Sequence, residues 1–253
     1  MIESSFAGEL ELYMSISGLI NSLIRRISYK DEGVLEYPII ENSKFGALDA
    51  SDISSHLSLL YFLVHLSKPG VIVELGTRDG QSTRALRMAA DELGIRGVSV
   101  DLSPAPDSTF ETGKNWTHLQ EDDIVLANKL KDSDYRMKLL GTNSIDFLFL
   151  DTSHEYLHTK RELDSYWPLI SDGGLLILHD SNLSSARKVD VDGRTYRGWD
   201  NARGVSRAVE DFFNLSLNEK SLYSQKFSTL TLLNLPWNNG LLLIQKNSIS
   251  VTT

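Results

Sequence analysis

Apolar side chains follow two alternating patterns along this chain: short continuous runs, and longer stretches with a helical repeat. Val71-Ile72-Val73 runs into Glu74-Leu75, Gly97-Val98-Ser99-Val100 into Asp101, Ile145 to Leu150 into Asp151, and Leu175 to Leu178 into His179-Asp180. Short apolar runs with β-branched members, bounded by glycine or acid, predict buried strands. Between them Ala85, Leu86, Met88, Ala89 and Leu93 recur at helical spacing, as do Leu163, Tyr166, Trp167 and Ile170. Val205, Ala208, Val209, Phe212 and Phe213 form a third such set. Strands alternating with helices predict a parallel sheet covered on both faces. Trp116 to Gln120 predicts a further strand, residues 124 to 139 a mostly polar helix, and about 221 to 231 and Leu241 to Gln245 two closing strands. A hairpin between the last two makes the final strand antiparallel.

Ahead of this, Leu12, Ile16, Leu19, Ile20, Leu23, Ile24 and Ile27 form one helical stripe. Acids gather near its start and Arg25, Arg26 and Lys30 near its end, as the helix dipole favours. A second apolar helix over about Ser54 to Ser67 is stopped by Lys68-Pro69-Gly70. The expected class is therefore α/β, a doubly wound, mostly parallel sheet with an antiparallel last strand. Residues 1–66 are expected as an N-terminal helical extension that caps the sheet, shapes a pocket or dimerises, and residues 67–253 as the main domain.

Composition narrows function more than fold. A chain of 253 residues is long enough for one α/β domain with a sizeable core. A formal charge of −9 argues against nucleic-acid or anionic-membrane partners, which want a basic surface. Without cysteine there is no disulfide, thiolate metal site or thiol nucleophile. Glu3, Glu9 and Glu11 stand where a signal peptide would be basic, and no apolar run approaches the roughly 20 residues that span a bilayer. A cytoplasmic protein is expected.

The candidate chemistry lies where the strands end. Glu74-x-Gly76-x-x-x-Gly80 leads into Ser82-Thr83 at a helix start, and both glycines are expected to supply positive φ and close approach to a ligand. Neither the dinucleotide fingerprint nor a Walker loop is present. Asp101, 27 residues on from Glu74, either accepts from a ribose diol or caps the turn at Ser103-Pro104. Asp151 and Asp180 end two further strands and together suit a hard cation, Mg²⁺ or Ca²⁺. His154, three residues after Asp151, suits a general base for a substrate hydroxyl. The bland alternatives are strand-end caps and a surface histidine. Residues 183 to 203 lack periodicity and hold Arg187, Lys188, Arg194, Arg197 and Arg203 with Tyr196 and Trp199. They read as a loop over the site that holds an anionic acceptor, or equally as solvated covering.

The glycine loop resembles the first motif of class I S-adenosylmethionine-dependent methyltransferases. From about residue 70 to 246 the chain is similar to small-molecule O-methyltransferases of the macrocin and cephalosporin-biosynthesis type, and more distantly to catechol O-methyltransferase. Glu74-Leu75-Gly76-Thr77, Gly80-x-Ser82, Asp101, Ile145-Asp146-Phe147-x-Phe149-x-Asp151-x-x-His154, Gly173-Gly174 and His179-Asp180 carry the likeness. So do Gly204-Val205 and Asn239-Gly240-Leu241.

The resemblance implies a Rossmann-like, seven-stranded sheet and a small-molecule acceptor, and a homo-oligomer is expected from the N-terminal helices. It implies S-adenosylmethionine as cofactor, bound by Glu74, Gly76, Thr77, Gly80, Ser82, Asp101, Leu102, Asp122 and Asp151. Asp122 would meet the adenine amine, although Glu121-Asp122-Asp123 reads equally as a solvated helix start. Asp151 and Asp180 would hold Mg²⁺ or another divalent cation, with His154 and Asp151 catalytic. His179 and Ser181 depart from the pattern, in which a second acid precedes position 180 or an asparagine follows it. His179, Ser181 or Asn182 then completes the metal's shell, or the metal is weak or missing. The rivals are aminopropyl transfer on the same fold, which Glu74 argues against, and a non-catalytic, cofactor-binding dimeric scaffold.

Overall fold

The apolar runs become strands of one sheet, and the helical stretches cover both its faces. The computed structural model describes residues 51–106, 115–183, 187–189, 195–197 and 203–248. The stripe from Leu12 to Ile27 lies outside the described residues. The first half comprises α1 (Leu57–Ser67, entered through a 3-10 turn at Ser54–His56), β1 (Val71–Leu75), α2 (Gln81–Leu93), β2 (Arg96–Asp101) and β3 (Trp116–Gln120). Then follow α3 (Asp123–Lys129), α4 (Ser133–Leu140), β4 (Ile145–Leu150), α5 (Tyr156–Tyr166) and β5 (Ile170–His179). The remainder is β6 (Arg187–Val189), β7 (Thr195–Arg197), α6 (Gly204–Phe213), β8 (Tyr223–Lys226), β9 (Leu230–Leu235) and β10 (Leu241–Lys246).

Strand order is β3-β2-β1-β4-β5-β10-β9-β8. β1 to β5 pair in parallel, whereas β10 is antiparallel to both β5 and β9, and β9 to β8. Because side chains alternate across a strand, β1 divides its residues between two cores. Val71, Val73 and Leu75 pack with Leu163 of α5 and Val205 and Ala208 of α6. Ile72 joins Leu57, Leu60 and Leu63 of α1 and Ala85, Leu86 and Ala89 of α2 on the other face. Four buried residues of α1, Leu57, Leu60, Leu63 and Val64, contribute a gross burial term of about 6–12 kcal/mol. That holds α1 on the sheet although no side chain caps its start. Lys68 ends it in a left-handed conformation, its N–H donating to the Val64 carbonyl.

Three expectations change. The sheet has eight strands rather than seven. The stretch from about 221 to 231 breaks at Phe227, whose N–H donates to the Leu230 carbonyl at 2.7 Å. β8 is a largely exposed polar edge strand, so its hydrophobic signal is absent. The helix expected over 124 to 139 is two helices, because Asp132 accepts from the N–H groups of Asp134 and Tyr135 and starts α4. Within 183 to 203, expected as loop, β6 and β7 form an antiparallel ribbon.

β2 and β4 flank β1 on opposite sides, so chain order reverses at β1. Such a switch point opens a crevice at the strands' carboxyl ends. Two backbone bonds fix its floor: Gly76 N–H donates to the Val100 carbonyl at 2.9 Å, and Asp151 N–H to the Leu75 carbonyl at 2.8 Å.

Candidate active site

The glycine loop is held from below and from the side by two acids. Glu74 is fully buried. Its Oε1 accepts from Ser82 Oγ at 2.6 Å, and its Oε2 from Thr83 Oγ1 at 2.7 Å and Ser99 Oγ at 2.5 Å. Trp116 Nε1 in turn donates to Ser99 Oγ at 2.8 Å. Burial pushes the Glu74 carboxyl up to about 7 against the pull of these hydroxyls. Glu74 and Ser82, expected at the cofactor, therefore face each other beneath the loop. Glu74 pins α2 to β1, and its presence does not separate methyl from aminopropyl transfer.

Asp101 holds the loop's other side. Its Oδ2 accepts from the N–H groups of Thr77 at 2.7 Å and Arg78 at 3.0 Å, and its Oδ1 from Ser103 N–H at 2.8 Å. Burial raises its pKa, but the N–H bonds outweigh that and hold it below the usual carboxylate range. The turn cap is thus present. The Ser103 side chain adds a further hydrogen bond to the same carboxylate. Leu102 beside it is exposed. Asp122 caps α3, accepting from Val125 N–H at 2.9 Å.

Gly76 and Gly80 have φ of +86° and +75°. The close approach at Gly76 is to the chain itself: a Cβ there would lie 2.1 Å from the Asp151 carbonyl oxygen. Gly80 caps α2 in the left-handed region. Thr77 is buried, and its hydroxyl has no partner among the described residues. Above the loop a cavity of about 410 Å³ is lined by Asp52, Thr77, Arg78, Gln81 and Asp151 among others, within the usual size range of small-molecule sites.

At the ends of β4 and β5, two acids and two histidines converge. His154 Nε2 lies 3.0 Å from both Asp151 Oδ1 and Asp180 Oδ2. His179 Nδ1 lies 3.3 Å and 3.4 Å from the same two oxygens. His154 and Asp180 adopt left-handed φ of 58° and 56°, a conformation that costs a residue with a Cβ and clusters at functional sites. Burial opposes charge on all four. The mutual attraction prevails, holding Asp151 down to about 2 and Asp180 lower still, and lifting His154 to about 9 and His179 to about 10. His56, ahead of α1, meets the His179 ring edge-on at 5.4 Å. Burial, then the His179 charge, push it down to about 3.

This quartet can accommodate a cation. Ligand atoms of Asp151, His154 and Asp180 all lie within 4.8 Å of one another. Asp180 Oδ1 is buried with no hydrogen-bond partner among the described residues. Two carboxylates and an imidazole suit a divalent ion. The expected cofactor, base and metal positions Gly76, Thr77, Asp101, Asp151, His154 and Asp180 thus meet at one crevice. Within 183 to 203, Arg194 and Trp199 lie outside the described residues. Arg203 is committed elsewhere, pairing with Glu219 at 2.6 Å and Glu210 at 2.9 Å.

Sequence reasoning missed His56 and a neighbouring group, Asp123, His158 and Glu162. His158 and Glu162 are four apart on α5, a spacing that shares a helix face and could have drawn notice. His158 Nε2 lies 2.9 Å from Asp123 Oδ2, and Glu162 Oε1 accepts from Thr152 Oγ1 at 2.7 Å. Glu162 is fully buried, and burial followed by Asp123 holds its carboxyl far above the usual range. A proton on Glu162 donated to Asp123 satisfies both acids without a cation. A raised carboxyl pKa means the native state holds a proton the unfolded chain releases, so this stabilisation is present in acid and lost as pH rises through the native value. Glu162→Gln reproduces the protonated form. Its Tm relative to wild type is expected to climb between about pH 5 and about pH 9. A difference that stays constant across that range would place the proton elsewhere.

The chain matches the family model described as Methyltransferase domain over residues 73–181, and that described as Rhamnosyl O-methyltransferase/CmcI over residues 133–233. It has no match among curated protein sequences. Its fold resembles SAH-bound Podospora anserina methyltransferase PaMTH1, at 19% identity and a TM-score of 0.52, covering 82% of this chain and 86% of that one. It also resembles the O-methyltransferase from Bacillus cereus in complex with SAH, at 15% identity and 0.51, covering 90% and 100%. A third likeness is to MycE methyltransferase of the mycinamycin biosynthetic pathway, in complex with Mg, SAH and mycinamycin VI. There identity is 12% and the TM-score 0.51, with 84% of this chain and 55% of that one covered.

Proposed function

For this class I S-adenosylmethionine-dependent O-methyltransferase, we propose that the acceptor is a hydroxyl of a small polar metabolite, and that a divalent cation assists the transfer. The observation that carries the reading is the convergence of Asp151, His154 and Asp180 beside the crevice of the glycine loop. The match to the Rhamnosyl O-methyltransferase/CmcI model supports a sugar-bearing acceptor.

S-Adenosylmethionine supplies a methyl group on a sulfonium. The acceptor oxygen bonds to that carbon as the carbon–sulfur bond breaks, and the hydroxyl proton must go to a base. His154 takes it in this reading, and the crevice aligns the oxygen with the methyl carbon, a positioning effect that supplies roughly 7–11 kcal/mol in well-oriented reactions. Asp101 and the N–H groups it fixes set the loop against the donor. A cation held by Asp151 and Asp180 would act as a Lewis acid that lowers the hydroxyl's pKa. The two carboxylates otherwise keep His154 protonated at neutral pH, and a base must be neutral. Their charge has to be offset, an electrostatic reason for a cation here.

Incubation with methyl-labelled S-adenosylmethionine and a panel of glycosylated and simple hydroxyl acceptors tests this. Label should pass to an acceptor oxygen in the presence of Mg²⁺ or Mn²⁺, and chelation should suppress it. Label passing to nitrogen or carbon alone would reject the acceptor class.

A further inference from the structure

Residues 51–53 close over the glycine loop, although they lie outside the stretch that resembles O-methyltransferases. Ser51 Oγ donates to Gln81 Oε1 at 2.7 Å. Arg78 Nη1 approaches Asp52 Oδ2 at 3.3 Å and Oδ1 at 3.5 Å. All four residues line the cavity of about 410 Å³, together with Thr77 and Asp151.

What enters this cavity must have its charges matched. Glu74, the acid expected at the donor, is buried and fully occupied by three hydroxyls. Among the described residues that line the cavity, Arg78 is the one cation. Its backbone is held at φ +45° by the N–H bond to Asp101, an unfavourable conformation that fixes where the side chain starts. The Arg78–Asp52 pair is open to solvent, with side-chain exposures of 75% and 39%. Exposed pairs of this kind contribute little, so opening this one sacrifices little.

The amino-acid end of S-adenosylmethionine carries one carboxylate and one ammonium. We propose that this zwitterion inserts between Arg78 and Asp52, the carboxylate on the guanidinium and the ammonium on the aspartate. One weak internal pair is exchanged for two charge-assisted contacts, and a guanidinium fork suits a carboxylate in particular. The clamp rests on S-adenosylmethionine being the donor. It makes residues 51–53 part of the donor site, and it disfavours decarboxylated donors, which leave Arg78 without a partner.

Calorimetry with two nucleosides tests the clamp: S-adenosylhomocysteine, which keeps the amino-acid end, and 5′-methylthioadenosine, which lacks it. Wild type should prefer the first by about tenfold or more, the lower end for a hydrogen bond to a charged group. Arg78→Met and Asp52→Asn should each erode that preference by weakening S-adenosylhomocysteine, with 5′-methylthioadenosine held within about twofold. Variants that keep the wild-type preference would overturn the clamp while the donor assignment stands. Equal weakening of both nucleosides would also overturn it, reducing Arg78 to a brace for the loop. Wild-type protein that binds neither nucleoside would sink the donor assignment and the clamp together.

Discussion

Gly76→Ala is expected to destabilise the protein by about 2–5 kcal/mol, where Gly94→Ala costs only about 1 kcal/mol. Both glycines have positive φ, +86° and +68°, so the backbone penalty is shared. They differ in surroundings. A Cβ at Gly94 has nothing within 4 Å, whereas at Gly76 it would lie 2.1 Å from the Asp151 carbonyl oxygen and 2.6 Å from its carbon. Backbone cannot rotate aside as a side chain can, so β1 and β4 must part at their carboxyl ends or Asp151 must move. Asp151 also faces His154 and His179. Molecules that still fold should therefore bind S-adenosylhomocysteine poorly. Urea unfolding of the two variants, with nucleoside titration of each, checks both halves. Equal losses at the two positions would show that the loop relaxes and that the contact with Asp151 is no constraint.

Part of that contact was legible in the sequence. Two glycines after an apolar strand did announce a tight turn, and the turn is there. The sequence placed a ligand against Gly76 because strand pairing decides the neighbour, and β4 is remote in sequence. The neighbours of Glu74 are set in the same way. An acid near a strand's end reads as a cleft residue, yet Ser82, Thr83 and Ser99 arrive from α2 and β2 to bury it. The alternation of apolar runs with helical repeats exposed the parallel sheet, because buried strands and amphipathic helices differ sharply in period. β8 escaped, since an exposed edge strand of Tyr223-Ser224-Gln225-Lys226 carries no such signal. Asp151, His154 and Asp180 were legible because each sits at or just past a strand end, where topology brings them together. His56, Asp52 and Glu162 were not, because their partners are set by packing between elements far apart in the chain.

The largest effect on chemistry is expected at His154. His154→Gln should lower kcat by roughly 10²–10⁴, the usual share of a general base, with the dissociation constant for S-adenosylhomocysteine within about twofold of wild type. Glutamine is chosen because its amide can still donate to half-buried Asp151 and buried Asp180, which otherwise face one charged partner fewer. Removing one member of a buried charge network costs about 3–5 kcal/mol, enough to mimic a catalytic defect by unfolding. Asp180→Asn is the companion variant: it keeps the shape, removes a cation ligand and should abolish the response of turnover to added Mg²⁺ or Mn²⁺. Both results together would give His154 the proton and the two aspartates the metal. Turnover that ignores chelation but fails in His154→Gln would leave a metal-free base. Wild-type kcat in a folded His154→Gln protein would send the acceptor's proton by another route.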